Sequence, residues 1–259
     1  MIRFRSLGSG SGGNATVVEA SSGITTTRLL VDAGFSLKEL DARLARASLA
    51  ASDLDAVFVT HEHGDHIGCA LALAERDALP LWMSRGTWRA IGGFAAPATL
   101  RFARDDEPIA VGDIEVHPFT VAHDAVEPLQ LRCGDGSARL VVLTDLGSIT
   151  AHMLANVAGC DAIVLECNHD AGMLALSRYP PSLKARIGGR LGHLSNATAA
   201  EILARCASTR LRHVVAAHLS RENNRPALAR AALAACWGGD GEAIVIADPG
   251  SGFEWLRIG

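Results

Sequence analysis

Three histidines and one aspartate stand within six consecutive residues of the sequence. They are His61, His63, Asp65 and His66. Zinc, manganese and iron accept neutral imidazole and carboxylate ligands, and the alternation lets neighbouring residues serve one ion or two. The apolar residues 56–60 come directly before them and predict a buried strand. The spacing therefore predicts a metal site at a strand end and disfavours a polar loop with chance histidines.

The flanking segments must position these ligands, and their hydrophobic patterns indicate an α/β protein. Residues 99–144 predict a strand meander with glycine-containing turns. Other strands are predicted near residues 1–7, 14–20, 27–31, 55–60, 80–83, 161–166, 212–217 and 242–247. Helices are predicted near residues 36–47, 67–77, 85–91, 196–206 and 226–235. Two similar halves result, each mixing strands with outer helices.

Composition indicates one domain over residues 1–259. Hydrophobic residues make up 49% of the chain, and no apolar stretch approaches the roughly 20 residues that span a bilayer. Residues 1–6 lack the apolar segment of a signal peptide. The six cysteines form no C-x-x-C pair, so we expect reduced thiols in a cytoplasmic protein without a membrane partner.

The metal motif resembles that of the metallo-β-lactamase fold superfamily, and the resemblance extends along nearly the whole chain. It implies an αββα sandwich, in which two mixed β-sheets carry helices on their outer faces. It also implies two divalent metal ions. The first would take His61, His63 and a third histidine downstream. The second would take Asp65, His66 and a later histidine, and an aspartate would bridge both ions.

Local patterns locate the three later ligands. Each follows an apolar run that predicts a strand, and strand ends are where a sheet-based enzyme gathers side chains from distant segments. They are His123 after residues 114–121, Asp145 after residues 139–144 and His218 after residues 212–217. We assign His123 to the first metal, Asp145 to the bridge and His218 to the second metal. Asp32 matches the superfamily's first motif and is expected to orient a ligand histidine from behind.

Further segments narrow the resemblance to the WalJ/YycJ group of bacterial metal-dependent nucleases. They are residues 6–14, 144–147, 166–170, 179–184, 192–196 and 217–224. Members of that group are described as 5′→3′ exonucleases on double-stranded DNA that prefer manganese. The resemblance implies a nucleic acid substrate, DNA in preference to RNA. It also implies manganese or zinc as the cofactor, with iron compatible with the same ligands.

Two of these segments also resemble ribonuclease Z, which processes the 3′ ends of tRNA. There, a glutamate after a strand and a histidine in a Gly-His-Ser context assist the leaving group. The matching residues are Glu166 and His193. His193 is not needed as a helix cap, because Ser195 and Asn196 supply one. The predicted catalytic residues are Glu166, His193 and Asp65, the last as proton acceptor. The sequence has no obvious basic arm for tRNA.

Substrate contacts are predicted from polar side chains near these motifs. The glycine-rich residues 8–13 predict a tight loop on the rim of the site. No Gly-Lys-Ser/Thr follows them, and the next segment predicts a strand, whereas a nucleotide-binding loop opens a helix. The predicted substrate-binding residues are Ser9, Ser11, Asn14, His169, Lys184, Arg186, Asn196, Arg221 and Asn223.

The same predicted metal ligands could serve other functions, which the sequence does not exclude. One is hydrolysis of RNA or of a small ester, thioester or lactone, which would need a closed pocket. Another is a di-iron redox protein. Such proteins commonly replace the second histidine of the motif with glutamate, whereas His63 is retained and no flavin or electron-donor module is visible. A DNA-binding module without catalysis is disfavoured by the intact ligands. The native metal and the oligomeric state are also left open.

Overall fold

The computed structural model describes residues 1–206, 208–237 and 241–258, whose strands form two seven-stranded sheets. The first sheet contains β1 (Ile2–Gly8), β2 (Ala15–Ser21), β3 (Thr26–Val31), β4 (Ala56–Phe58), β5 (Leu81–Ser84), β6 (Leu100–Ala103) and β14 (Phe253–Ile258). The second contains β7 (Ile109–Val111), β8 (Ile114–Thr120), β9 (Leu129–Gly134), β10 (Arg139–Leu143), β11 (Ala162–Glu166), β12 (His213–Ala217) and β13 (Val245–Ile246). The helices are α1 (Leu37–Arg46), α2 (Gly64–Ile67), α3 (Ala70–Arg76), α4 (Arg85–Ala90), α5 (Ala151–Val157), α6 (Ala171–Leu176), α7 (Pro181–Ile187), α8 (Asn196–Cys206) and α9 (Pro226–Ala234). Among these helices, none is long and apolar enough to span a membrane.

Each sheet is antiparallel in one part and parallel in the other. The first has the order β14-β1-β2-β3-β4-β5-β6, and its strands from β3 to β6 are parallel. The second has the order β13-β12-β11-β10-β9-β8-β7, and its strands from β10 to β13 are parallel. Parallel neighbours need a crossover connection, which is usually helical. Helices occupy these crossovers in both sheets, so the two halves repeat one plan.

The sheets pack face to face, and their side chains alternate between an inner and an outer layer. In β10, Leu140 and Val142 belong to the apolar core between the sheets. Val141 and Leu143 belong to a core shared with the outer helices, which is the period of two that a pleated strand imposes. A third core joins the first sheet to α1 through residues such as Leu44. The predicted αββα sandwich is confirmed.

Some elements differ from the predictions. Helices α5, α6 and α7 and strand β14 are not among the predicted elements. Residues 99–144 do not form one meander, because β6 pairs with β5 in the first sheet. The helix predicted near residues 67–77 begins only at Ala70, because Gly68 interrupts it with φ 28°. A Cβ on Gly68 would lie 2.4 Å from the carbonyl oxygen of Ala33. The loop after β3 therefore passes directly against the metal motif.

The cysteines are separate side chains, not a disulfide framework. All six are described and unpaired, and Cys236 is the exposed one. Burial raises the pKa of the Cys133 thiol to about 12, so this thiol stays protonated and behaves as a small apolar side chain.

Candidate metal centre

The predicted metal ligands follow the ends of strands from both sheets. Four of them come from separate strands: His61 after β4, His123 after β8, Asp145 after β10 and His218 after β12. The other three, His63, Asp65 and His66, lie on the turn into α2 and within that helix. The structure brings all seven together, in groups whose ligand atoms lie within 4.8 Å of one another.

The His61 group consists of His61, His63 and His123. Nε2 of His61 lies 3.1 Å from Nδ1 of His63. Nε2 of His123 lies 3.3 Å from the same Nδ1 atom. Three imidazole nitrogens that converge in this way form a donor set for a divalent transition metal.

The Asp65 group consists of Asp65, His66 and His218. Oδ2 of Asp65 lies 3.4 Å from Nε2 of His218 and 3.8 Å from Nε2 of His66. A carboxylate together with two imidazoles suits manganese, zinc or iron. The two groups therefore present different donor sets to a cation.

Asp145 lies between the two groups and is 2% exposed. Its Oδ2 is 2.8 Å from Nε2 of His66. Its Oδ1 is 3.6 Å from Nε2 of His218 and 4.0 Å from Nε2 of His123. Despite its closeness to His66, Oδ2 makes no hydrogen bond of good geometry. Such an oxygen is costly to bury, and a cation among these atoms would satisfy it. The residues present therefore fit a divalent metal.

Four of the predicted ligand histidines direct their Nε2 atoms toward the cluster, because oxygen atoms on the opposite side of each ring hold Nδ1. Oxygen atoms lie within hydrogen-bond reach of each Nδ1. They are Thr60 Oγ1 at 3.0 Å from His61, Asp32 Oδ2 at 2.8 Å from His66, the Gly192 carbonyl at 3.0 Å from His123 and Glu166 Oε1 at 3.3 Å from His218. An Nδ1–H that donates to oxygen leaves the Nε2 lone pair for the cation and fixes the ring.

The electrostatics of the cluster also favour a cation. Burial alone would raise the pKa of Asp145, but His218 and His66 hold it well below its usual range. Burial alone would lower the pKa of His66, but Asp145 and Asp32 raise it well above its usual value. Against the same effect of burial, Asp145, Asp65 and Glu166 together raise the pKa of His218 to about 10. The buried negative charge thus attracts either protons or metal ions, and metal binding must displace those protons.

Three of these residues adopt a backbone conformation that is rare outside glycine. Asp32, Asp145 and His218 have φ values of 62°, 57° and 54°, and each follows the end of a parallel strand. This left-handed conformation carries a cost of about 1–3 kcal/mol when the surroundings impose it. It turns each side chain sharply out of its strand, and such strain is concentrated at functional sites.

A loop from the start of the chain supports the Asp65 group. Ser9 Oγ accepts a hydrogen bond from the backbone N–H of His218 at 2.8 Å. The Asn14 amide nitrogen donates to the carbonyl oxygen of Asp65 at 3.1 Å and lies 3.1 Å from Nε2 of His66. Both side chains are buried. They therefore hold the ligand residues in place from the protein side of the cluster.

A second pair of polar side chains lies at the edge of the cluster. Glu166 is fully buried and accepts hydrogen bonds at Oε2 from the backbone N–H groups of Leu146 and Leu194. Its Oε1 lies 2.7 Å from Nδ1 of His193. Burial raises the pKa of Glu166, but His193 and its other partners bring it down to about 2. Glu166 is therefore ionised, and it raises the pKa of His193 against the effect of burial.

His193 is the member of this pair that reaches the open side. Its side chain is 23% exposed, and its ring stacks on that of His218 at 5.4 Å with an angle of 15°. Because Glu166 holds Nδ1, Nε2 is the free nitrogen, and it forms no hydrogen bond within the described residues. Asp145, Glu166, His193 and His218 also form a group that can hold a metal ion.

Proteins of known family resemble this chain along most of its length. A family model described as the beta-lactamase superfamily domain matches residues 27–218. The chain belongs to this superfamily. Exodeoxyribonuclease YycJ from Bacillus anthracis is 38% identical over 233 residues, which are 88% of this chain and 86% of that protein. Exodeoxyribonuclease WalJ from Streptococcus pneumoniae (serotype 2, strain D39) is 36% identical over 233 residues, 88% and 85% of the two chains.

A solved structure has the same fold as this chain. The metallo-beta-lactamase fold protein YhfI from Bacillus subtilis superposes with a TM-score of 0.74 over 98% of both chains, at 18% identity. At that identity the likeness shows the fold alone. The resemblance predicted from the motifs is confirmed. Superfamily membership and the ligand cluster make the chain a metal-dependent hydrolase.

Three residues of this superfamily site are absent from the sequence predictions. Thr60 donates from Oγ1 to Asp32 at 3.0 Å. The Asn168 amide nitrogen donates to the carbonyl oxygen of His218 at 3.1 Å. Asp124 Oδ1 lies 3.4 Å from Nε2 of His123. Asp124 and Thr60 are each adjacent in sequence to a predicted ligand histidine, and that adjacency is the one signal that could have indicated them.

The structure places the predicted substrate-binding residues in different surroundings. Ser9 and Asn14 support ligand residues, and Asn196 is buried in a reciprocal amide pair with Asn224. His169 and Asn223 are buried, with side-chain atoms that have no partner among the described residues. The more accessible residues have these surroundings: Lys184 donates to the Ala175 carbonyl, Arg186 pairs with Asp124, and Ser11 and Arg221 line a cavity. Substrate contact by these residues stays a prediction.

Removing the central aspartate should affect metal binding more than removing a supporting one. Asp145→Ala is expected to lose most bound metal, because Asp145 contacts ligands of both groups. Asp32→Ala should weaken affinity by about 10–100-fold, since it only orients His66. Elemental analysis after dialysis at fixed metal concentrations measures both, with the exposed Glu75→Ala as a control. Equal loss from Asp32→Ala and Asp145→Ala would contradict these roles.

The backbone at Gly34 passes so close to that of Asp65 that a larger residue at position 34 should disturb the site. A Cβ on Gly34 would lie 1.8 Å from the carbonyl oxygen of Asp65. Gly34→Ala should therefore lower the free energy of unfolding by about 1–3 kcal/mol and weaken metal binding, because helix α2, which carries Asp65, must shift. Gly64→Ala is the matched control, since its Cβ meets nothing within 4 Å. Urea unfolding and metal titration test both variants, and indistinguishable results would contradict the prediction.

Proposed function

We propose that this hydrolase is an exonuclease that degrades double-stranded DNA in the 5′→3′ direction. Two relatives named exodeoxyribonucleases, at 38% and 36% identity over 88% of the chain, support a DNA substrate. The observation that carries the phosphodiester chemistry of the proposal is the Glu166–His193 pair beside the predicted metal ligands. It provides a proton donor at the edge of the cluster, where the leaving oxygen of a phosphodiester would need one.

The proposal includes two divalent cations, manganese or zinc. The His61 group would hold one and the Asp65 group the other, and Asp145 would contact both because it lies between the groups. Cations in such a pair lower the pKa of water towards neutrality and offset charge on the phosphoryl oxygens. The chain's own contribution is to fix the ligand nitrogens through their Nδ1 partners and to keep the carboxylates ionised.

His193 and Asp65 would move protons in this scheme. Glu166 and Asp145 raise the pKa of His193 against the effect of burial, which favours the protonated ring. Its free Nε2–H would donate to the departing 3′ oxygen while Glu166 holds the Nδ1–H. Asp65 would accept a proton from the attacking water, because its carboxylate is a quarter exposed and borders the cluster.

Cleavage of end-labelled DNA tests the proposed substrate and direction. With manganese or zinc, wild type should release a 5′ label from linear duplex DNA before a 3′ label. Asp65→Ala should lose this activity because it removes a ligand and the proton acceptor. The same labels on single-stranded DNA and on RNA measure preference. Early release of the 3′ label would contradict the direction, and cleavage of RNA alone would contradict the DNA substrate.

Replacing the proposed general acid gives a sharper test of mechanism. His193→Gln should lower kcat on DNA by about 10²–10⁴-fold. The same variant should cleave bis(p-nitrophenyl) phosphate nearly as fast as wild type, because p-nitrophenolate leaves without a proton. Bound metal should be unchanged. An equal loss of kcat with both substrates would contradict the role as proton donor and would favour a role as metal ligand.

A further inference from the structure

A cavity of about 310 Å³ opens beside the Asp65 group. None of the residues that line it has a role in the proposed mechanism. Its walls include Gly10, Ser11, Gly12, Tyr179 and Arg221, which come from three separate segments of the chain. This volume lies at the lower end of the range for small-molecule sites in proteins. The cavity is therefore large enough to be considered as a binding site in its own right.

The cavity is tied structurally to the metal ligands. Leu219 and Ser220 line it and directly follow the ligand His218. Gly10 also lines the cavity, and its N–H donates to Asn14 Oδ1 at 2.8 Å. Asn14 in turn donates to the carbonyl oxygen of Asp65. A molecule in the cavity would therefore lie next to any substrate at the metal centre.

Part of the cavity wall carries N–H groups that donate no hydrogen bond to a described residue. Gly13 N–H bonds to the Gly10 carbonyl at 2.9 Å and closes a turn. The N–H groups of Ser11 and Gly12, at its centre, donate to no described residue. The Arg221 guanidinium likewise donates no hydrogen bond within the described ranges, and its Nη2 lies 4.0 Å from the Cβ position of Gly12. Backbone N–H groups beside a guanidinium match the chemistry of a phosphate.

The other side of the cavity presents an aromatic ring. Tyr179 is the single tyrosine of the sequence, and it stands half-buried between α6 and α7. Bases of single strands stack on such rings irrespective of their identity. A phosphate subsite and an aromatic wall in one cavity are the two contacts that a nucleotide requires.

We infer that this cavity binds one nucleotide of the DNA strand, adjoining the phosphodiester that is cleaved. Arg221 and the Ser11–Gly12 turn hold its phosphate, and the base stacks on Tyr179. This inference rests on the proposed function, because it takes DNA as the substrate. Neither contact reads a base edge, so binding here is independent of base sequence.

Two carboxylates near Arg221 bear on this assignment. Asp248 Oδ1 accepts from the N–H groups of Gly250 and Ser251 at 2.8 and 2.9 Å. The charge of Arg221 also contributes to lowering the pKa of Asp248, so a bound phosphate would share Arg221 with this carboxylate. Glu222 is exposed on the cavity rim and would repel a phosphate. Glu222→Gln is therefore expected to lower KM for DNA, the opposite of what Arg221→Ala does.

Steady-state kinetics on duplex DNA test the cavity. Arg221→Ala and Tyr179→Ala should each raise KM about tenfold with kcat nearly unchanged. Tyr179→Phe should restore the wild-type KM because it keeps the ring. Arg212→Ala is the matched control, since this exposed arginine precedes β12 at the end opposite His218. Thymidine 5′-monophosphate should compete with DNA, and less well in Arg221→Ala.

Hydrolysis of bis(p-nitrophenyl) phosphate separates failure of the inference from failure of the proposed function. This small diester needs the metal centre but no neighbouring nucleotide, so all cavity variants should cleave it like wild type. If wild type degrades DNA and the cavity variants match Arg212→Ala, the inference is wrong and the nuclease function stands. If wild type hydrolyses the small diester but no DNA, the proposed function fails and the inference fails with it.

Discussion

Burial of charged carboxylates beside histidines is the constraint on which this structure depends. Asp32, Asp145 and Glu166 are almost completely buried, and an unpaired ion in such surroundings is very unfavourable. Asp32 accepts from Thr60 and faces His66, and Glu166 accepts two backbone N–H groups and faces His193. Asp145 is the exception, because one of its oxygens lacks a hydrogen bond. A cation is the partner that completes this arrangement.

The sandwich meets this constraint by bringing strand ends from both sheets to one place. β4 ends before His61 in the first sheet, and β10 and β12 end before Asp145 and His218 in the second. The ligand cluster therefore spans the boundary between the two sheets. Any cation held there links them, and such binding stabilises the folded state by mass action. The fold and the metal site are thermodynamically coupled for this reason.

Much of the grouping of the candidate site could be predicted because the predicted ligands are either adjacent in sequence or placed directly after strands. His61 to His66 form one short motif, and Asp145 follows an unmistakable apolar run. The supporting contacts were less predictable, since Thr60 and Asn168 act through partners distant in the chain. The hydrogen bond that Ser9 makes could also not be predicted from the sequence. Its loop is glycine-rich, but its hydroxyl turns inward to a backbone N–H of a ligand residue.

The predicted fold class was correct, but some strands were misplaced or missed. Their positions depend on contacts with segments distant in the chain. Apolar alternation identified β6 as a strand but could not assign its sheet, because both faces of either sheet are covered. Strand β14 has an irregular burial pattern, with two buried residues at its ends and partly exposed residues between. Such a segment shows neither a clean period of two nor a continuous apolar run. Its place is set by pairing with β1, not by its own sequence.

That pairing has a consequence for how the chain reaches its native state during synthesis. Ile2 lies opposite Ile258, and an ion pair joins Arg5 to Glu254 at 2.7 Å. The ribosome makes β1 before β14, so one edge of β1 stays unpaired while the strands from β2 to β13 are produced. Contacts between such distant segments form slowly, and open strand edges invite association with other chains. Arg5, whose partner Glu254 lies on β14, leaves a positive charge on that unpaired edge, and this charge opposes such association.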